Sequence, residues 1–191
     1  PPDLIAKRTV RGYQQQLSQQ ETRLRQLIRD TENTILTTAG EVEHDYAASF
    51  PVNRGMLPWP VPPSRGVVVQ GFGKTEDAFG NQVNNDGITI RTAQGQAVRA
   101  VHSGRVSGVQ RLPLSGQVVI VEHGAYRTVY AGLQGATVQT GEYVSAQQQL
   151  GQVWTDPRSG ESLLQFLILK MPETFLNPHQ WLIRSVPTRS R

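Results

Sequence analysis

The sequence predicts a mainly β domain preceded by an amphipathic α-helical segment, and three observations carry that prediction. From Val67 to about Ile183 the chain alternates short apolar runs with Gly-containing breaks. From Asp3 to Ala48 it is instead rich in Gln, Glu, Arg and Thr, with no Pro and two Gly. Between them, five prolines (51, 58, 60, 62 and 63) forbid a helix and favour stiff, extended chain. The two flanking patterns have different periods, and period is what separates a helix from strands.

In the first stretch Val10, Leu17 and Leu24 are seven apart, and Tyr13 and Leu27 fall on the complementary d positions. Ile28 and Ile35 widen the stripe, while Gln20 interrupts it. This reads as an amphipathic helix, either the end of a coiled coil or a helix lying on the domain that follows. In the last stretch the apolar runs are Val67–Val69, Gly87–Ile90, Ala97–Val101, Arg105–Val109, Val118–Glu122, Thr128–Ala131, Tyr143–Val144 and Leu163–Leu169. Breaks such as Gly80-Asn81, Gln94-Gly95, Ser115-Gly116, Thr140-Gly141 and Ser159-Gly160 supply the turn chemistry between strands. The expected division is 1–49 helix or end of coiled coil, 50–66 Pro-rich linker, 67–183 β domain and 184–191 basic tail.

Composition narrows the function classes. There is no Cys, which excludes disulfides, thiolate metal sites and Cys nucleophiles. The net charge is +4, with 16 Arg against 3 Lys, which suits carboxylate-bearing partners. The charge is scattered apart from Arg184, Arg189 and Arg191, and no basic run with interleaved aromatics supports nucleic-acid binding. No apolar stretch approaches the roughly 20 residues of a membrane-spanning helix. Opening on Pro1-Pro2-Asp3, the chain reads as a mature fragment of something longer.

The order of motifs then becomes informative. Gly71-Phe72-Gly73, Gly87-Ile88-Thr89-Ile90, Gly95 to Ala100, Val119 to Gly124, Tyr130-Ala131-Gly132-Leu133, Val138 to Val144 and Asn177 to Leu182 follow one another. This series resembles the LytM domain of the zinc-dependent M23 peptidoglycan peptidases, over roughly Leu57 to Ile183. The resemblance implies an antiparallel β-sheet domain of the duplicated-hybrid-motif kind. Active members hold zinc on a His-x-x-x-Asp pair and on the second His of a His-x-His strand; a Tyr-x-His and the first His of His-x-His complete the set. Three ligands leave a fourth position for a water whose pKa the metal lowers.

By that resemblance the pair falls on Asn85 and Thr89, the Tyr-x-His position on Gly132, and the His-x-His strand on Leu163 and Gln165. All five positions are substituted, and neutral amides, a hydroxyl, Gly and Leu do not make a zinc site. Asp86 does not rescue it, because side chains alternate along a strand and a one-residue slip would turn Ile88 and Ile90 out of the core. His44, His102, His123 and His179 are expected as surface or hydrogen-bonded residues. No metal, cofactor or catalytic residue is expected.

Leu163, Gln165, Leu167 and Leu169 are expected on the old site face, and Leu164, Phe166 and Ile168 on the core face. A strand apolar on both sides is either buried on both or exposes an apolar stripe. The partner-binding groove is therefore expected to comprise Asn85, Thr89, Tyr130, Gly132, Leu163, Gln165, Leu167 and Lys170. Degenerate LytM proteins of the EnvC type are murein hydrolase activators that bind peptidoglycan amidases. Pro51 to Val61, with Arg54-Gly55-Met56-Leu57-Pro58-Trp59-Pro60, resembles their approach to the domain. The resemblance implies a periplasmic protein of cell division that activates an N-acetylmuramoyl-L-alanine amidase. By the same analogy, its upstream coiled coil meets a membrane ABC-transporter-like division complex. Cover of the groove by the N-terminal helix is a further expectation. Alternatives are a module binding peptidoglycan or its peptides in the same groove, a scaffold of an envelope complex and, last, a metallopeptidase.

Overall fold

A computed structural model describes residues 18–30, 46–76 and 79–184. The chain divides into two compact units, Pro1–Glu41 and Val42–Arg191. In the first, residues 18–30 form helix α1, with Leu24, Leu27 and Ile28 buried along one face. That is the stripe the heptads predict. Val10, Tyr13, Leu17 and Ile35, like His44 and the tail Arg189 and Arg191, lie outside the described residues.

The second unit opens with a short helix, α2 (Tyr46–Val52), and continues as twelve strands: β1 (Gly66–Gln70), β2 (Gly73–Glu76), β3 (Gln82–Asn85), β4 (Ile88–Thr92), β5 (Ala97–Arg99), β6 (Gly104–Leu112), β7 (Gly116–His123), β8 (Tyr126–Gln134), β9 (Tyr143–Val144), β10 (Gln149–Val153), β11 (Leu163–Lys170) and β12 (Thr174–Leu176). The main sheet is antiparallel, in the order β1-β4-β11-β8-β7-β6-β9. β10 pairs with β5 and β8, and β12 with β11. β2 and β3 form a separate hairpin. The mainly β reading of the sequence holds. It does not predict β2, β3, β10 or β12, and α2 runs past the expected helix end at 49 into the Pro-rich stretch expected to forbid a helix. The hairpin is polar (GKTE and QVNN), and α2 is seven residues with Pro51 inside, too short to show a period.

The core lies on one face of the sheet. Ile88 and Ile90 of β4, Leu164, Phe166 and Ile168 of β11, Tyr130 of β8 and Val119 and Val121 of β7 share it, as strand alternation requires. The Pro-rich stretch, expected as a linker, is instead part of this core. Phe50, Leu57 and Val61 are fully buried, and Leu57 bridges Leu182 in parallel. Gly55 and Leu57 both donate to the Trp181 carbonyl, and the Ile183 amide returns a bond to Leu57. Prolines fix the extended path, and the apolar residues between them supply the packing.

Phe50 is the main anchor. Its ring stacks on His123 at 4.4 Å and on Trp181 at 5.2 Å, with Tyr126 and the edge of His102 completing the cage. His123 is buried, its Nδ1 donating to the Ser103 carbonyl at 2.7 Å and its Nε2 accepting from Thr128 at 2.9 Å. Burial above all pushes its pKa down to about 3, with His102 and Arg127 adding like charge, so it stays neutral. It is the hydrogen-bonded structural histidine the sequence predicts.

Candidate functional site

The face of β11 opposite the core carries Leu163, Gln165, Leu167 and Leu169. Across the sheet, Thr89 of β4 and Ala131 of β8 sit opposite Gln165, and Val129 sits opposite Leu167. Three of the expected residues meet here. Asn85, 2% exposed at the end of β3, donates through Nδ2 to the Gly71 carbonyl at 3.1 Å. Its Oδ1 accepts from the Gly87 amide at 3.3 Å and from Gln165 Nε2 at 3.4 Å. Thr89, the cross-strand neighbour of Gln165, donates to Gln70 Oε1 at 3.5 Å. Gln70 in turn donates to Thr75.

The route to this arrangement differs from the sequence reading. Residues 85 to 89 are not one continuous strand. The chain bends at Asp86 and Gly87, so Asn85 belongs to the β2–β3 hairpin and Thr89 to the main sheet. Gly87 makes the bend possible, since a Cβ there would run into the Phe166 carbonyl and the Leu167 side chain. Asn85 reaches Gln165 across the bend rather than along a shared strand face.

Gly132 lies at the edge of this face, left unpaired in a β-bulge where Gln117 meets Leu133 and Val118 meets Ala131. Its φ of 88° suits glycine, and a Cβ there would meet the Leu163 carbonyl oxygen. Two expected groove residues point elsewhere. Tyr130 sits opposite Phe166 on the core face, fully buried, its hydroxyl accepting from the Val101 amide at 3.0 Å. Burial holds its pKa up at about 12. Lys170 is exposed and sits opposite Tyr126 and Thr174, on the core-face parity of β11. Neither lines the groove, because each is an even step from Phe166 or pairs directly with it.

Both faces of β11 are apolar, and the second is largely buried: Leu167 is 2% exposed, and Leu169, Val129 and Ile120 are buried with it. Leu163 and Gln165 stay half-exposed toward β4. Next to them the sheet presents Gln70 and Arg91, the latter 2.9 Å from Glu161. The sequence reading missed this pair, although Gln70 continues the Val67–Val69 run.

These residues do not fit a zinc ion. The two side chains best placed as donors are neutral amides; Asn85 spends its nitrogen on the Gly71 carbonyl and its oxygen on the Gly87 amide and Gln165. Among the described residues, no three His, Cys, Asp or Glu side chains come together. Nor is any described helix long and apolar enough to cross a membrane.

Residues 83–178 match the model of peptidase family M23. Among curated proteins, the murein hydrolase activator EnvC of Escherichia coli K12 is 32% identical over 132 residues, 69% of this chain and 30% of its own length. A protein of Neisseria meningitidis serogroup B, NMB1333, is 33% identical over 97 residues, half of this chain and 16% of its own. The chain thus spans less than a third of either relative. Among solved structures, a chain of the SpoIIQ–SpoIIIAH pore-forming complex matches with a TM-score of 0.55 at 25% identity, over 68% of this chain and 92% of that one. A zinc-containing peptidase from Vibrio cholerae matches at 0.58 and 22%, over 69% and 41%, a likeness of fold.

Proposed function

Because this chain belongs to peptidase family M23 and brings an amide pair, a glycine and leucines to the face where the family's chemistry is expected, we propose that it is a non-catalytic activator of peptidoglycan amidases. It works in the periplasm during cell-wall splitting at division. The observation that carries the reading is the open end of that face of β11: a half-buried Leu163 beside a Gln165 whose amide is bonded to Asn85, with Leu167 and Leu169 buried behind them. Such an edge suits an apolar side chain of a partner. The likeness to an activator supports the same reading.

The occupant is an amphipathic segment of the amidase, a helix laid in the groove with its apolar side over Leu163. Tighter binding to the amidase's released conformation than to its closed one shifts it toward activity, by tenfold for each ~1.4 kcal/mol of difference. Cover of the groove by the N-terminal helix, and docking of the upstream coiled coil on a membrane ABC-transporter-like complex, complete the proposal.

Dye release from labelled peptidoglycan tests it with four samples: the chain, a periplasmic amidase, the two together, and the amidase with residues 42–191. Release only from mixtures is the expected result, and a larger effect of the shorter chain supports cover by the helix. Release by the chain alone overturns the non-catalytic reading. Silence in every sample, with an amidase that responds to another activator, points instead to a peptidoglycan-binding module or a scaffold. Pulldown on isolated murein separates those two.

A further inference from the structure

The two ends of the main sheet are finished differently. At one end stands β9, only Tyr143–Val144, too short to template another strand. At the other stands β1, five residues of sequence Gly-Val-Val-Val-Gln, which among the described residues pairs with β4 alone. The amide of Thr92 donates to Ser162 at 2.9 Å, on the β11 side. In an antiparallel ladder N–H and C=O of one residue point the same way and alternate along the strand, so Arg91 is the residue turned toward β1. Its partner Val67 thus spends its backbone groups on β4, while Gly66 and Val68 present theirs outward. Among the described residues nothing takes them.

The side chains along this edge are apolar and open: Val67 is 67% exposed and Val69 41%. Arg65 and Lys74, which flank β1 in sequence, are exposed, and their side chains have no bonded partner among the described residues. A row of free backbone groups matches only another extended backbone, and the two cations that flank it in sequence favour acidic residues in the partner. A second copy fits less well, because antiparallel self-pairing would set Arg65 of each chain toward the Lys74 end of the other.

We propose that β1 is a strand-addition site for an extended, acidic segment of a partner protein. The segment pairs with the backbone of Gly66 and Val68, lays an apolar side chain beside Val67 and places carboxylates near Arg65 and Lys74. The bulge between Val68 and Gln70 ends the ladder, so the segment is short. This surface is the sheet's edge and is independent of the groove reading.

The test uses the full chain and a labelled synthetic peptide, Glu-Val-Thr-Val-Thr-Val-Asp, read by fluorescence anisotropy and by residue-resolved amide exchange. Saturable binding is expected, weakened by high salt and by Arg65→Glu with Lys74→Glu. The amides of Gly66 and Val68 become protected on binding, whereas that of Val67 is protected already. N-methylation of alternate peptide amides, or Val68→Pro in the chain, weakens binding by about tenfold, roughly the loss of one or two backbone hydrogen bonds. Equal binding of methylated and unmethylated peptides overturns strand addition, whatever Val68→Pro does to folding. So does absence of saturable binding. Self-association through β1 that the peptide cannot displace overturns the acidic partner in favour of a second copy.

Discussion

Asn85 and Gln165 stand where the LytM resemblance would place zinc ligands, and here Gln165 donates to the Asn85 amide oxygen while the Asn85 amide nitrogen donates to the Gly71 carbonyl. Asn85→His, Thr89→Asp and Gln165→His together are expected to restore a three-donor site. Calorimetric titration is then expected to show about one zinc per triple-variant chain and none for the parent. Adding Gly132→His is expected to fail for a different reason. That residue sits at φ 88° against the Leu163 carbonyl. A side chain there costs about 1–2 kcal/mol in backbone conformation alone, readable as a lower urea midpoint. The substitutions were legible in the sequence; the backbone conformation at Gly132 was not, because a bulge is set by pairing between strands far apart in the chain. His123 carries a second prediction at this scale. Its folded pKa, about 3, lies below the ordinary 6.5, so between those values the unfolded chain binds more protons. Stability is therefore full above about pH 6.5 and falls by up to ~1.4 kcal/mol per unit as pH drops toward 3. His123→Gln is expected to flatten that slope in denaturation curves at pH 5 and 7.

α2 is the element that sequence patterns hide and packing reveals. A seven-residue helix with an internal proline has no period to read, yet its Phe50 fills the cage of His102, His123, Tyr126 and Trp181. Phe50→Ala is expected to cost about 3–5 kcal/mol, the range for an aromatic removed from a core. Chains starting at residue 42 are expected to keep the full urea midpoint, and chains starting at 53 to lose most of it. The strands fared better in the sequence because β4, β7, β8 and β11 are apolar runs closed by glycines. The β2–β3 hairpin escaped because its residues are polar and its pairing is its own small sheet. That hairpin delivers Asn85 to the groove, so the part of the site that was hardest to place in sequence is the part that hangs from the hidden element.

For the molecule as a whole, a single face of β11 carries both a partly open and a closed leucine. Leu163 is half-exposed at the groove and Leu167 buried beneath it. Leu163→Asp is expected to abolish amidase activation with a melting temperature near that of the parent, whereas Leu167→Asp destabilises the fold by several kcal/mol, as a buried charge should. Dye release and thermal melts on the two variants separate these outcomes. Strand parity alone foretold which side chains share this face. It also put Lys170, four residues from Phe166, on the other face, but it did not foretell that Tyr130 belongs there, since that needed the pairing of β11 with β8. The pairing of Leu57 with Leu182 has a mechanical meaning as well. The two segments run parallel and lie side by side, so tension drawn between residues 46 and 184 slides them past each other. The bonds of Gly55, Leu57 and Ile183 and the Trp59 indole bond to the Ile183 carbonyl are then loaded together, in shear, rather than unzipped one by one. A domain fastened in that way passes a pull on its leading segment straight into its sheet.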